Sequence, residues 1–435
     1  MPKITFLGAC REVGRSAVLV ESNSGAQCIL DYGVRFSEEE RLPIDNNLNN
    51  VKAIALTHSH IDHSGGIPYF YKNSHIPLFT NPITLRVSEI LLEDMIKISN
   101  YPYPFGYKEL KRVRQNAYFL RNNVRQRIDS NFHITFYNAG HIPGSVSILI
   151  QVDNKKILYT GDINTIPTNL IEPAQPKTIL EKIDMLIIES TYSTTEHPSR
   201  TDLEQKFIEN VENVIDTGGN VLIPAFGVAR SQEIMLILKK YGYKYNIYID
   251  GLAQKVATTY SNFPEAFKDF NFYRRTLKGV KFVTRRNRMK ISSSEKNLII
   301  SPSGMLKGGA AVEHVYSIIN DPYSAIYLVG YQVEGTPGRK LIDEGIFEVN
   351  HNHYSLENKE SNRIKANCDV NYFDFSSHAD KTHLNKYISD LSFDSESKLI
   401  FCIHGDEKST TSFARELNQS GFNSVAPEVG ETYQI

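Results

Sequence analysis

Cysteine is scarce in this 435-residue chain: there are four, Cys10, Cys28, Cys368 and Cys402, and no C-x-x-C pair. Their scatter indicates neither a disulfide framework nor a thiolate zinc site, so any metal must be held by histidine and carboxylate. Long apolar runs are missing as well. Nothing approaches the roughly 18 residues of a membrane span. The start, "MPKITFLGACREVGRSAVLVE", lacks the continuous apolar core and cleavage site of a signal peptide. No membrane partner and a cytoplasmic location are the default expectations. Charge of one sign is also lacking. The formal net charge is -1, so whole-molecule electrostatics would not recruit a polyanion and local patches would have to. Two runs qualify, "KRVRQNAYFLRNNVRQR" (Lys111 to Arg127) and "KFVTRRNRMK" (Lys281 to Lys290), both basic and free of acidic residues. Either alone reads more readily as a solvated face. Internal repeats and low-complexity tracts are absent.

What is present is an ordinary soluble composition, 41% hydrophobic and 22% charged. The length exceeds the roughly 250–300 residues at which one hydrophobic core stops growing, so two domains are expected. "KITFLGA", "SAVLVES", "QCILDYGV" and "VKAIALTHSH" read as short buried strands separated by turn residues, and "ITLRVSEILLEDMIKIS" as a helix. "HITFYNAGHIPGSVSILIQV", "KKILYTGDIN" and "DMLIIESTY" are β-rich runs that end on polar residues, where sites assemble in layered α/β proteins. From about Thr194 helices and strands alternate, the pattern of βα units on a parallel sheet. A polar stretch, 346–369, reads as a surface insertion. "VNYFDFSSHAD" and "KLIFCIHGDE" then return to strands that end in histidine.

The densest signal is "LTHSHIDHSGG" (Leu56 to Gly66). His58 and His60, two apart at the end of a strand, point the same way and can reach one ion. Asp62 and His63, on the turn beyond, can face a second. His141 in "NAGHIPGS" and Asp162 in "LYTGDIN" sit at other strand ends, the aspartate placed to bridge two ions. Each is weak alone, since a single loop histidine or aspartate is more often structural. Their order and spacing make the set persuasive.

Asp31, His58, His60, Asp62, His63, His141 and Asp162 resemble the successive motifs of the metallo-β-lactamase superfamily. "LIIESTYS" around Glu189, "PAFGVARSQE", "SPSGMLKGG", "GYQVEGTPGRK" and "DFSSHAD" resemble its β-CASP branch, which contains the nucleases of mRNA 3′-end processing, RNase J and the DNA-repair nuclease Artemis. The likeness covers almost the whole chain and is nearest to prokaryotic relatives of the cleavage and polyadenylation factor nuclease that lack a KH extension. It implies an α/β fold: an αββα sandwich formed by 1–193 and 339–435, with a β-CASP α/β domain, 194–338, inserted and the active site in the cleft between them. It implies two zinc ions per chain, one held by His58, His60 and His141, the other by Asp62, His63 and a late histidine, with Asp162 bridging. His378 in "SSHAD" is the choice for that late ligand and His404 in "IHGDE" the rival, which would then sit beside the site. Asp31 resembles a carboxylate that fixes a ligand histidine.

One position departs from the family pattern. Where the eukaryotic nuclease has a histidine paired with the acid at Glu189, this chain has Lys340, so the proton donor to the leaving oxygen is open among Lys340, Arg339, water and His314. Ser376, Ser377, Arg230 and Arg339 are candidate phosphate contacts. The resemblance implies a zinc-dependent ribonuclease that acts on single-stranded RNA, endonucleolytic with a further 5′-to-3′ exonucleolytic capacity. RNA is favoured over DNA because histidine at the position of His378 marks RNA-processing members. Relatives dimerise, which makes a homodimer an expectation. The competing readings are a catalytically inactive RNA-binding subunit, which only Lys340 favours, and a hydrolase of small esters or thioesters, which the inserted domain disfavours.

Overall fold

The computed structural model describes residues 1–35, 41–45, 48–99, 101–348, 363–394 and 398–435. They form two compact units, one made of 1–167, 171–196 and 377–435, the other of 168–170 and 197–376.

The first unit is built on two seven-stranded sheets. In one, the strands follow the spatial order Thr432–Gln434, Lys3–Phe6, Val18–Glu21, Gln27–Leu30, Val51–Ala55, Leu78–Thr80, Ala117–Phe119. The first four pair antiparallel; from Gln27–Leu30 onward they pair parallel. In the other, the order is Asn423–Val425, Leu399–Ile403, Met185–Glu189, Lys155–Tyr159, Val146–Val152, Phe132–Asn138, Gln126–Arg127. Alternation of side chains assigns each strand two apolar faces. Phe6, Val20 and Leu30 from the first sheet meet Ile134, Ile148 and Ile157 from the second in the central core. Each such side chain, when fully buried, contributes about 1.5–3 kcal/mol.

The opposite faces are covered by helices. Over the second sheet lie Lys381–Ser389 and Glu407–Gln419, which bury Leu384, Ile388, Phe413 and Leu417 against Leu186 and Ile400. Each begins at an aspartate whose side chain accepts from a backbone N–H of the first turn, Asp380 from His383 and Asp406 from Ser409. Over the first sheet, Leu85 of Pro82–Ile98 and Val113 of Tyr107–Gln115 pack on Ile29 and Ile54. This is the αββα sandwich. All four cysteines are free and buried.

The second unit centres on a six-stranded, wholly parallel sheet in the order Lys281–Phe282, Ile247–Ile249, Leu298–Ser301, Val221–Pro224, Ala325–Leu328, Asp369–Tyr372. Its central strands are apolar on both faces, as a sheet sandwiched by helices requires. The sequence places the chain's return to the sandwich at 339, whereas by contacts it returns at Ser377. The reason is long-range pairing: Asp369–Tyr372 adds to Ala325–Leu328 in parallel, and Leu341 of helix Pro337–Glu344 packs with Ile326 and Leu328. The expected insertion 346–369 lies mostly outside the described residues. Its described ends form an antiparallel pair, Ile346–Glu348 with Arg363–Lys365.

Candidate metal centre

Strand Val51–Ala55 ends just before Thr57, and the chain then turns through a short helix, Ile61–Ser64. That turn is held by backbone hydrogen bonds to the segment after Gln27–Leu30. Tyr32 N–H donates to His63 O, Val34 N–H to Ile61 O and Gly66 N–H to Tyr32 O, while Ser16 N–H donates to Asp62 O. Four chemically active side chains are thereby fixed within six positions.

His58, His60, His141 and Asp162 form one group whose donor atoms lie within 4.8 Å of each other, and Asp62, His63 and His404 form another. In the first, His60 Nδ1 is 3.2 Å from His58 Nε2 and 3.2 Å from His141 Nε2. Asp162 Oδ2 is 3.5 Å from His58 Nε2 and 3.6 Å from His141 Nε2. In the second, His404 Nε2 is 3.3 Å from both His63 Nε2 and Asp62 Oδ2. Asp162 Oδ1 is 3.4 Å from His63 Nε2. The two oxygens of Asp162 thus face separate groups.

The tautomers show which ring atoms are lone pairs. His141 Nδ1 is 2.8 Å from Ser377 O, a pure acceptor, so Nδ1 carries the proton and Nε2 the lone pair. His63 Nδ1 donates to Asp31 Oδ2 at 2.7 Å. Thr57 Oγ1 donates its only proton to Asp31 Oδ2, so at 3.0 Å it must accept from His58 Nδ1. Thr191 Oγ1 donates to the His404 carbonyl and so accepts from His404 Nδ1. Four Nε2 lone pairs therefore converge with buried carboxylate oxygens. Nitrogens bound at about 2.0–2.1 Å to one tetrahedral ion would stand about 3.3 Å apart, close to the spacings found. Asp162 Oδ1, buried, accepts no hydrogen bond. The donor set fits divalent-cation binding, with one oxygen of Asp162 offered to each group.

Electrostatics separate the rings: burial keeps His58, His60 and His141 neutral, whereas carboxylate neighbours raise the pKa of His63 and His404. Burial disfavours charge on every ring. It prevails at His58 and His141, whose pKa values fall well below the usual range, and at His60, lowered to about 4. At His63 burial acts the same way, but Asp162 and Asp31 outweigh it and favour positive charge there. Asp31 and His404 both sit in the left-handed backbone region, φ 57° and 51°. Such conformations cost about 1–3 kcal/mol and persist where surrounding bonds over-determine them. Asp31 accepts from Thr57 N–H, Thr57 Oγ1, His63 and Tyr159 OH. His404 N–H donates to Ala9 O.

Two expectations are corrected. His378, the sequence-based choice for the last ligand, does not occupy that place; His404 does. Strand Leu399–Ile403 pairs parallel with Met185–Glu189, Ile403 opposite Glu189, and so delivers His404 to Asp62 and His63. His378 Nδ1 is instead 2.8 Å from Glu189 Oε2 and 3.0 Å from Oε1, its ring 4.5 Å from that of His141. Burial would lower its pKa, but the Glu189 charge and hydrogen bond outweigh burial and hold it up at about 9. Lys340 is likewise not the partner of Glu189. It pairs with Glu348 inside the second unit.

Ser376, Arg230 and Arg339 also belong to the second unit, where Arg339 pairs with Asp343 at 2.7 Å and Arg230 is buried. His314, one of the candidate proton donors, is fully buried there between Ser292 and Asp250. Ser377 serves the metal centre through its carbonyl. Thr57, Tyr159 and Thr191 were not anticipated, and neither was Gly33, where a Cβ would stand 1.7 Å from Asp62 O. The available signals were local: Thr57 abuts His58, and Tyr159 and Thr191 flank strand ends that also carry Asp162 and Glu189.

Comparison with known proteins places this geometry among relatives. The chain matches the family models described as Metallo-beta-lactamase superfamily over 11–196, Beta-Casp domain over 231–341 and Zn-dependent metallo-hydrolase RNA specificity domain over 363–427. It is 33% identical to "Probable RNase MJ4" of Methanocaldococcus jannaschii, covering 100% of both chains. It is 32% identical to "RNase aCSPSF2" of Saccharolobus solfataricus, over 99% of this chain and 85% of that protein. To "Transcription termination factor FttA" of Pyrococcus horikoshii it is 32% identical, over 100% of this chain and 71% of that protein. Among solved structures, a crystal structure of a protein of unknown function from Enterococcus faecalis V583 shares the fold, with a TM-score of 0.62, 16% identity and 99% of each chain covered. No described helix is long and apolar enough to cross a membrane.

Proposed function

Because the chain belongs to the β-CASP branch of the metallo-β-lactamase superfamily, we propose that it is a zinc-dependent endoribonuclease that hydrolyses single-stranded RNA at the His58–His404 centre. The metal-dependent hydrolase class follows from the family. RNA as substrate is supported by the relatives named as RNases and by the RNA specificity domain match. The observation that carries the reading is the buried carboxylate of Asp162, one oxygen toward His58 and His141 and the other toward His63.

His58, His60, His141 and Asp162 would hold one cation and Asp62, His63, His404 and Asp162 the other. Imidazole with carboxylate suits zinc. Two such ions, when bound, make hydroxide available near neutral pH and neutralise charge on a phosphoryl group. The chain's own residues do the rest. Asp31 and the carbonyl of Ser377 lock the tautomers of His63 and His141, so each ring presents a lone pair without reorganisation. Glu189, fixed by Ile163 N–H at 2.7 Å, holds His378 protonated. His378 then donates a proton to the departing 3′ oxygen as general acid. That assignment removes the one argument for an inactive subunit, the missing histidine at Lys340.

The test is incubation of the purified full chain with single-stranded RNA and DNA labelled at either end, before and after chelation and after zinc is returned. RNA cut internally from both labels, lost on chelation and restored by zinc, is the expected result. Release of labelled mononucleotides alone would make the enzyme an exonuclease. RNA retained but uncut by metal-loaded protein would refute the catalytic reading.

A further inference from the structure

The basic run Lys111 to Arg127 is not simply a solvated face. Its middle forms Ala117–Phe119, the last strand of the first sheet, paired among the described residues on one side only, to Leu78–Thr80. The chain then crosses to the other sheet. Leu120 N–H donates to Thr80 O, Asn123 N–H to Phe136 O, and Gln126–Arg127 becomes the last strand of the second sheet beside Phe132–Asn138. One short segment therefore closes one end of the sandwich.

Its surface is unusual in three independent ways. Tyr118 and Phe119 are 57% and 53% exposed although both are large aromatics. Arg121, Arg125 and Arg127 are exposed, and none is paired with a carboxylate among the described residues. Arg125 donates to the side-chain oxygen of Gln151 and Arg127 to the backbone carbonyl of Asp129. Beside them a groove on the outer face of the second sheet is lined by Arg125, His133, Leu149, Gln151 and Lys156, with Glu181 its one acidic member. The positive field is felt locally: burial, and after it Arg125 and Arg127, lower the pKa of His133.

The position is equally specific. Val51–Ala55, Leu78–Thr80 and Ala117–Phe119 run parallel, with Ala55 opposite Phe79 and Phe79 opposite Tyr118. The carboxyl end of the exposed strand thus lies on the same rim as His58, two interstrand steps or about 10 Å across. From there the arginines lead away along the outermost strand of the other sheet.

We infer that Tyr118 and Phe119, on the two faces of the edge strand, with Arg121, Arg125 and Arg127, form an accessory track for single-stranded RNA on the sandwich unit, the aromatics stacking bases as the strand passes over the edge and the arginines following phosphates. Aromatic faces accept any base, and guanidinium groups not neutralised by a carboxylate beside them supply the sequence-independent attraction that single-strand binders use. The inference rests on RNA being the substrate. A bare basic face would lack the exposed rings, and a peptide or second copy added to the free strand edge would not call for the arginines.

The test uses the full chain with cleavage halted by chelator and 5′-fluorescein oligouridylates of increasing length, followed by anisotropy over a salt series. Tyr118→Ala with Phe119→Ala is expected to weaken binding of the longer oligomers at least tenfold and to leave the salt slope as in the native chain. Arg121→Gln, Arg125→Gln and Arg127→Gln together are expected to cut that slope by about 2, near 0.7 per lost phosphate contact. RNA carrying 4-thiouridine should crosslink to the peptide containing Tyr118 and Phe119, a readout that does not depend on a variant. Native-like binding by both variants, no crosslink there, or a loss produced only by Arg285→Gln with Arg286→Gln overturns the track while leaving RNA as substrate intact. A native dimer that the aromatic variant dissolves, with RNA affinity unchanged, assigns the edge to a second copy and overturns it too. Native protein that neither binds nor cuts RNA removes the substrate reading, and the track with it.

Discussion

At the scale of single residues, the two late histidines have separable duties. His404 groups with Asp62 and His63 in a set able to hold a cation, whereas His378 contacts Glu189. His404→Ala should therefore reduce bound metal toward one ion per chain by elemental analysis and abolish cleavage. His378→Ala should retain both ions and lower the cleavage rate about 10²–10⁴-fold, the usual worth of a general acid. Full metal loading in His404→Ala, or metal loss in His378→Ala, would reverse the assignment. Asp31 offers a second test. It lies outside both ligand groups yet accepts four hydrogen bonds, two from Thr57 and one each from His63 and Tyr159. Asp31→Asn removes the charge that sets the His63 tautomer, so metal affinity in a chelator competition should fall about 10–100-fold.

At the scale of elements, the metal centre depends on how closely the turn after Val51–Ala55 packs on the segment after Gln27–Leu30. Gly33 makes that approach possible, since a Cβ there would overlap the carbonyl of Asp62 and stand 2.7 Å from His63 N. A backbone obstacle cannot rotate away, so Gly33→Ala should displace the turn, with lost metal binding and a lower melting temperature. In the second unit Asp250 joins three elements: it follows strand Ile247–Ile249, accepts from Arg288 of Arg288–Ser292 and from His314 of Ala310–Ile318. Burial alone would raise the Asp250 pKa, but those donors outweigh it and lower it. A depressed carboxyl contributes fully above its unfolded value of about 3.9 and loses that contribution as pH falls through the folded value. Asp250→Asn, which leaves Arg288 without its charged partner, should cost about 3 kcal/mol in urea unfolding at neutral pH. The gap should narrow as the pH falls below that unfolded value and through the lower folded one. A gap independent of pH would mean that packing, not charge, is what the aspartate supplies.

At the scale of the whole molecule, what could be read from the chain divides by range. The clustering of His58, His60, Asp62 and His63 was legible because six adjacent positions at a strand end suffice to aim them. The αββα layering was legible because residue alternation records which face is buried. The choice between His378 and His404 was not, since both follow apolar β runs. It is decided by Leu399–Ile403 pairing with Met185–Glu189 across nearly half the chain. The difference between 339 and the contact-based return at Ser377 has the same origin: nothing local in "VNYF" says which sheet Asp369–Tyr372 joins. The same division into units has a thermodynamic consequence. Each unit has its own apolar clusters, and among the described residues every group able to hold a metal ion lies in the first. A ligand bound only by native structure stabilises it by RT ln(1 + [L]/Kd), and stabilises only what unfolds with the site. Calorimetry of the full chain should therefore show two transitions, one rising steadily with the logarithm of free zinc and one unmoved. Reversal on chelation should follow, while Asp250→Asn lowers only the zinc-independent transition. A single transition that shifts as a whole would show instead that the units unfold as one.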